Sequence, residues 1–189
     1  MAYETFTPLF HEIFTKVNNA KDKAKKVEVL RKYDTPNLRG FLMCAFNPDI
    51  EWLLPEGQVP YIENDAPDGT EHTQLSAEGR LLFNFVKRKV AGTVDEWRIG
   101  KPSLNDMKRE TMFIQLLEGL SAGEAQCLCM AKERILHRKY KGLNASTVQQ
   151  AFGWDENFID SQLVAKRTPT GPADLGRMPS DLAESHRLG

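Results

Sequence analysis

The stretch Thr35-Pro-Asn-Leu-Arg-Gly-Phe-Leu-Met-Cys-Ala-Phe-Asn-Pro48 carries the clearest fold signal in the chain. Threonine followed by proline is typical of a helix cap and the first helical position, and the residue before a proline avoids helical geometry. The stretch therefore predicts a short helix that begins after Thr35 and ends before Pro48. Its apolar residues recur at the three- and four-residue spacing of one helix face: Leu38, Phe41, Leu42, Ala45 and Phe46.

Helices with the same kind of signal are predicted upstream of this one. Thr7-Pro8 repeats the pair of cap and proline, and an apolar stripe follows as far as Val17. A second upstream helix is expected to start near Asp22, and its outer face is rich in lysine. Short helices with tight connections indicate neighbours that run antiparallel.

Further helices are predicted in the second half of the chain. One follows Ser76 and ends in Lys87-Arg88-Lys89, where cations suit the negative end of the helix dipole. Another opens with the capping box Ser121-Ala-Gly-Glu124 and continues to Leu136. Two more begin near Asp106 and Asn144. We therefore expect a mostly α fold, an antiparallel helical array of about six or seven helices.

Residues 47–79 differ in composition from the rest of the chain. They contain eight acidic residues, four prolines and no lysine or arginine, which is incompatible with a long helix. The apolar residues in the first half of this segment predict that it packs in an extended form against the helices. Its second half is expected to be an exposed loop. Five acidic side chains make a candidate acidic docking loop: Glu56, Glu63, Asp65, Asp68 and Glu71.

Length and composition set the class of protein. The 189 residues suit a single domain, predicted over residues 1–165, and the proline-rich residues 166–189 are expected to be a disordered tail. The net charge of −1 argues against polyanion binding through bulk charge, although local basic patches stay open. Three cysteines in apolar runs favour a reducing compartment. The chain lacks an apolar run of roughly 20 residues and a signal-peptide pattern, so we expect a cytoplasmic protein without a membrane span.

The sequence predicts no catalytic residue, no cofactor and no metal ion. Cys127 and Cys129 with His137 resemble a set of metal ligands, but side chains two apart on a helix point roughly 200° from each other. Asp106 and Lys108 superficially resemble a nuclease pattern, yet they open a helix, where aspartate serves as a capping residue. No glycine-rich phosphate loop occurs. We therefore expect a protein that is not an enzyme.

The strongest functional signal is a basic stretch that ends in a predicted turn and helix. This order resembles a helix-turn-helix, whose second helix would lie in the groove of DNA. That second helix, residues 145–152, offers serine, threonine and glutamine but no arginine or lysine, and the connecting turn is long. The candidate residues for binding nucleic acid or a partner are Lys132, Arg134, His137, Arg138, Lys139 and Lys141.

An ordered set of short motifs also carries a family resemblance. In chain order, the set comprises Leu54-Pro-Glu-Gly57 with Pro60-Tyr61, Phe113-Ile-Gln-Leu-Leu-Glu-Gly-Leu120, Glu124-Ala125, Lys132, Tyr140-Lys-Gly142, Val148 and Ala151-Phe152. With these motifs, residues 5–155 resemble an uncharacterised protein family encoded by T-even-type tailed bacteriophages. The resemblance implies a phage gene product in the cytoplasm of an infected bacterium, and it carries no established activity.

Together these observations predict a non-enzymatic, phage-encoded accessory protein that acts by binding another macromolecule. A host or phage protein is the preferred partner, because the net charge is near zero and no single predicted helix combines cations with base-reading side chains. The first alternative is a DNA- or RNA-binding factor of replication or transcription, and the second is a structural component of the virion. The identity of the partner and the oligomeric state stay open.

Overall fold

A computed structural model describes residues 7–90, 92–93 and 96–153 of the chain. The described part contains α-helices, one 3₁₀ helix and a small antiparallel sheet. The mostly α fold is therefore confirmed, and the sheet is an element that the sequence analysis did not predict. In chain order the elements are α1 (Phe10–Asn19), α2 (Lys23–Lys32), α3 (Pro36–Phe46), β1 (Ile50–Trp52), α4 (Leu75–Glu78), the 3₁₀ helix (Gly79–Phe85), β2 (Val86–Lys89), β3 (Trp97–Ile99), α5 (Asp106–Gly119), α6 (Ala122–Lys132), α7 (Leu136–Lys139) and α8 (Ala145–Phe152).

Polar side chains begin most of the longer helices, as the sequence predicts. The Thr35 hydroxyl accepts a hydrogen bond from the backbone N–H of Leu38, and Pro36 occupies the first helical position of α3. Asp22 caps α2 and Asn144 caps α8 in the same way. Because each cap satisfies a backbone N–H group that has no partner within its helix, these starts are fixed locally.

The start of α1 is an exception and corrects the prediction. The residue before the helix is Leu9 rather than Thr7, and the carboxylate of Glu12 accepts from the Leu9 N–H at 2.7 Å. The next N–H, that of Phe10, donates to Glu124 at 2.9 Å. The cap of α1 therefore comes partly from a residue far along the chain, which no local pattern can indicate.

The core is one continuous cluster built around α3. On one side, the ring of Phe41 stacks against Phe14 at 5.5 Å between centroids, and Phe14 meets Tyr140 edge-on at 5.6 Å. On the other side, Phe113 lies 5.1 Å from Phe85 and 6.2 Å from Trp52. Helices from both halves of the chain thus bury their apolar faces against the helix that the Thr35–Pro48 stretch predicts.

The sheet has the strand order β1–β2–β3, and both pairs are antiparallel. Lys87-Arg88-Lys89, predicted to end a helix, instead form most of β2, so that prediction is wrong. The side chain of Lys87 makes an ion pair with Glu51 of β1 at 2.7 Å. The strand exists because β1 and β3 supply its hydrogen-bond partners, and those partners are not visible in the local sequence.

The acidic segment lies along the helices in a largely extended form. It contains β1 and ends in the single turn of α4, and the residues between them form no helix or strand. The Ile62 N–H donates to the carboxylate of Glu118 at 3.2 Å, and the Thr73 N–H donates to the Gly119 carbonyl at 3.1 Å. These bonds fasten the segment across the end of α5. The predicted tail, residues 166–189, lies outside the described residues.

None of the described helices is long and apolar enough to cross a lipid bilayer.

Candidate binding surfaces

The helix that opens at Ala122 ends at Lys132, earlier than the predicted end at Leu136. Arg134 has a positive φ of 55°, a conformation that costs a non-glycine residue roughly 1–2 kcal/mol. Its guanidinium donates to the carbonyls of Asn47, at 3.1 Å, and Ile50. Because α7 stands between α6 and α8, the predicted helix-turn-helix does not form as two helices joined by one turn.

Lys132 is buried, and its ammonium group is used inside the fold. It donates to the carbonyls of Pro55 at 2.8 Å and Gly57 at 3.1 Å, and it pairs with Glu133. The same Glu133 carboxylate accepts the Gly57 N–H at 2.9 Å. Lys132 and Arg134 therefore hold the beginning of the acidic segment, and they are not available to bind a partner.

The remaining predicted basic residues, His137, Arg138, Lys139 and Lys141, are exposed. The Lys139 ammonium lies 5.4 Å from the Tyr140 ring centroid and donates to Gln126. The chain then turns at Gly142, where φ is 82° and an added Cβ would lie 2.6 Å from Cε of Lys26. The positive backbone angle favours glycine here, and a side chain would in addition displace the end of the Lys26 side chain.

The turn places these residues beside the start of α2. The Lys141 N–H donates to the Asn18 side chain at 2.9 Å, and the Lys26 ammonium donates to the Lys141 carbonyl at 3.1 Å. Lys23 reaches the hydroxyl of Ser146 at 2.6 Å. Lys26 therefore joins two distant parts of the chain that both carry exposed cations. We call the exposed basic residues on either side of this junction the basic face: Lys21, Lys23, His137, Arg138, Lys139 and Lys141.

Helix α8 packs against α2 and extends this surface with neutral polar groups. The Arg31 guanidinium donates to the carbonyls of Gln150 at 2.9 Å and Ala151 at 3.1 Å. The exposed Ser146, Gln149 and Gln150 thus lie beside cations of α2. Sequence reasoning missed this arrangement because α8 itself carries no lysine or arginine, and the cations come from residues more than a hundred positions earlier.

The five residues of the candidate acidic loop separate into two groups. Glu56, Glu63 and Asp65 are exposed. Asp68 turns toward α1, where its carboxylate lies 3.4 Å from Nε2 of His11. Slight burial by itself would raise the pKa of Glu71. Its carboxylate accepts hydrogen bonds from the Gly69 N–H and the Gln74 amide, and these donors lower the pKa below the ordinary value. Four of the five residues are therefore exposed, and Asp68 and Glu71 also make contacts that stabilise the loop.

A buried carboxylate that the sequence analysis treated only as half of a capping box joins three parts of the fold. Glu124 is fully buried, and its two oxygens accept from the N–H groups of Phe10 at 2.9 Å and Leu75 at 2.8 Å. Ser121 accepts the Glu124 N–H at 3.3 Å, as a capping box requires, but the Glu124 side chain does not return to Ser121. Burial raises the pKa of Glu124, although the two N–H donors oppose the shift.

The cysteines lie in apolar surroundings. Burial raises the pKa of Cys44 to about 12 and those of Cys127 and Cys129 to about 11. The Cys127 thiol also lies 3.2 Å from the Tyr140 hydroxyl. Thiols held in the neutral form are poor nucleophiles and poor metal ligands. In the part of the chain that the structure describes, no group of three histidine, cysteine or acidic side chains is placed to hold a metal ion.

Two of the motifs that carry the phage resemblance lie at structural joints. Leu54-Pro-Glu-Gly57 contributes the carbonyls that Lys132 binds, and Tyr140-Lys-Gly142 forms the turn against α1 and α2. No curated protein and no solved structure matches the chain. Residues 13–138 match the family of unknown function DUF6433, a span that includes α2 to α6, the acidic segment and part of the basic face. The chain therefore belongs to the DUF6433 family.

Proposed function

We propose that this protein is a non-enzymatic accessory factor of tailed-phage infection that acts by binding another protein, of the host or of the phage. The phage setting rests on the motif resemblance. The binding role rests on one observation, the basic face, in which exposed basic residues at the start of α2 and in residues 137–141 flank the junction between Lys26 and Lys141.

The basic face is rigid where its two parts meet. Lys26 bonds to the carbonyls of Val17 at 2.7 Å, Asn18 at 3.1 Å and Lys141 at 3.1 Å, so it fixes the end of α1 to the turn after α7. A surface whose backbone is already ordered loses little conformational entropy on binding. These contacts support a preformed docking surface.

An acidic protein surface suits the basic face better than a continuous phosphate backbone. Acidic residues interrupt the positive charge of α2, since Asp22 caps the helix and Glu28 pairs with Lys25 at 3.0 Å. The exposed carboxylates of the acidic loop add a surface of opposite sign. Mixed charges of this kind favour recognition by complementary pairs, which set association rate and register.

An affinity pull-down of the tagged protein from an infected-cell lysate tests this proposal. The lysate is divided, one half is treated with nuclease, and retained proteins are identified by mass spectrometry. We expect a discrete protein that survives nuclease and is lost with the double variant Arg138→Glu/Lys139→Glu. The matched control is Arg80→Glu/Lys108→Glu, which reverses two exposed cations outside the basic face. Equal retention by both double variants would contradict the proposal.

Nucleic acid is the second candidate partner, and one observation favours it. Cations of α2 lie beside the exposed serine and glutamines of α8, so the tertiary structure supplies the combination that no single helix has. Fluorescence anisotropy with labelled single-stranded and duplex oligonucleotides at several salt concentrations measures this binding. Phosphate contacts would make the affinity fall steeply with salt. On a duplex, a plot of the logarithm of the association constant against the logarithm of the salt concentration would fall with a slope of about 0.9 for each phosphate contacted. A steep slope, with partners that vanish on nuclease treatment, would place nucleic acid first.

A further inference from the structure

The two outer edges of the sheet differ in how their backbone groups are used. At the β1 edge, the Ile50 carbonyl points away from β2 and accepts a hydrogen bond from the Arg134 guanidinium, which also binds the Asn47 carbonyl. A charged side chain that covers an edge in this way prevents another strand from pairing there. The β1 edge is therefore closed by the fold itself.

The outer edge of β3 has backbone groups that point outward. The Val90 N–H donates to the Glu96 carbonyl at 2.8 Å, and the Gly100 N–H donates to the Val86 carbonyl at 3.3 Å. Because hydrogen-bonded positions alternate along an antiparallel pair, the N–H and C=O groups of Trp97 and Ile99 face away from β2. Among the described residues, none forms a hydrogen bond with these outward groups.

The side chains next to this edge combine apolar surface with positive charge. Ile99 is paired with Lys87, and Trp97 is paired with Lys89, so these four side chains share the outer face of the sheet. The Lys87 ammonium lies 4.4 Å from the Trp97 ring centroid, and Ile99 is 37% exposed. Glu51 of β1 shares this face and pairs with Lys87 at 2.7 Å, so two lysines face one carboxylate there.

We propose that the β3 edge binds an extended, acidic segment of a partner protein as a fourth strand of the sheet. The outward groups of Trp97 and Ile99 would pair with the segment's backbone, as in other cases of strand addition. Because side chains alternate between the two faces of a strand, the segment's carboxylates would lie on the outer face beside Lys87 and Lys89, and its apolar side chains would lie on the opposite face. This site is separate from the basic face, because it lies on the sheet.

A fluorescein-labelled peptide of sequence Glu-Val-Glu-Val-Glu-Val-Glu is the probe, and the full chain is titrated in at low salt while anisotropy is measured. Two peptides serve as controls: one with lysine in place of glutamate, and one with its two inner glutamates N-methylated, which removes the N–H groups that would pair with Trp97 and Ile99. We expect the acidic peptide alone to bind, with slowed deuterium exchange at the amides of Trp97 and Ile99. No binding, or equal binding of the lysine peptide, would overturn the proposal.

The decisive variant is Ile99→Pro, with Ile99→Val as its matched control. Proline removes an N–H that faces outward, so it leaves the pairing of β3 with β2 intact while it blocks the edge. We expect Ile99→Pro to weaken peptide binding about tenfold, because one backbone hydrogen bond to the peptide is lost. Ile99→Val keeps that bond and should change the affinity little. Unchanged binding by Ile99→Pro would overturn the proposal.

Lys89→Glu tests the charge requirement with the backbone unaltered. It should weaken the acidic peptide and strengthen the lysine peptide, so this variant decides the question even if Ile99→Pro does not fold. Sedimentation of the unliganded chain identifies another occupant: a dimer that Ile99→Pro abolishes would show that a second copy covers the edge. Binding of single-stranded oligothymidine that the acidic peptide displaces would assign the face to nucleic acid. Either result would overturn the proposal.

Discussion

Residues 132–134 and residues 138–141 are both rich in lysine and arginine, but their cations have different roles in the structure. In the first region, the side chains of Lys132 and Arg134 turn inward and bind backbone carbonyls of the acidic segment. In the second, Arg138, Lys139 and Lys141 are exposed and belong to the basic face. Both regions are cationic, and only one of them is available to a partner.

The difference shows that a cation's role depends on the carbonyls within its reach. The acidic segment passes the end of α6, and its prolines and turns leave carbonyls without helical or sheet partners. The carbonyls of the buried Asn47 and Ile50 need a donor and accept from Arg134. Those of Pro55 and Gly57 accept from Lys132. Among the described residues, no backbone carbonyl accepts from the side chains of Arg138, Lys139 or Lys141, and these side chains stay exposed. Substitutions in the first region should therefore affect stability, and those in the second should affect binding.

The largest expected effect is that of Lys132→Met, which keeps the apolar stem and removes the ammonium. We expect the free energy of unfolding to fall by about 3 kcal/mol, because the loss of one member of a buried polar network leaves its partners unsatisfied. Urea unfolding followed by circular dichroism measures the change. Deuterium exchange near Pro55 and Gly57 should quicken as well, since both carbonyls lose their donor.

If Lys132→Met unfolds at the wild-type urea concentration, the inward region contributes no more to stability than the outward one. The comparison between the two regions would then fail at its first step.

A smaller effect is expected at Glu124, another charge that is turned inward. Glu124→Gln should lower the free energy of unfolding by about 1–2 kcal/mol, because a single amide oxygen leaves one of two buried N–H groups without an acceptor. Those groups belong to Phe10 and Leu75, at the starts of α1 and α4. Urea unfolding of both proteins at each pH gives the difference.

The pH dependence of that difference sharpens the comparison. Because burial raises the pKa of Glu124, the folded chain binds this proton more tightly than the unfolded chain. The stabilisation that this proton contributes is fully present below the ordinary pKa of about 4.3, and it is lost as the pH rises through the pKa that Glu124 has in the folded chain. The advantage of wild type over Glu124→Gln should thus shrink from about pH 4 upward. An advantage that grows with pH would mean that the two N–H donors outweigh burial.

The smallest effect on stability is expected from Lys139→Glu in the outward region. Lys139 is exposed, and exposed charges contribute little to folding. The free energy of unfolding should change by no more than about 0.5 kcal/mol. The same urea experiment, run beside Lys132→Met, makes the contrast direct. A loss comparable to that of Lys132→Met would place Lys139 among the residues that hold the fold.

Local signals predicted the parts of the fold that neighbouring residues control. The caps at Thr35 and Asn144, the extended course of the acidic segment and the apolar stripe of α3 are all visible in the sequence. Each depends on contacts within a few residues or on the spacing of apolar side chains around one helix. Arg138, Lys139 and Lys141 are exposed, and their role in binding stays a prediction.

Only the tertiary structure decided the features that depend on distant partners. Strand β2 needs β1 and β3, the end of α6 needs carbonyls that Arg134 can reach, and the start of α1 needs Glu124. The basic face exists because the turn at Gly142 brings residues 138–141 against α2. In each case the sequence supplies the charged or hydrogen-bonding group, and packing of remote segments determines which partner it meets.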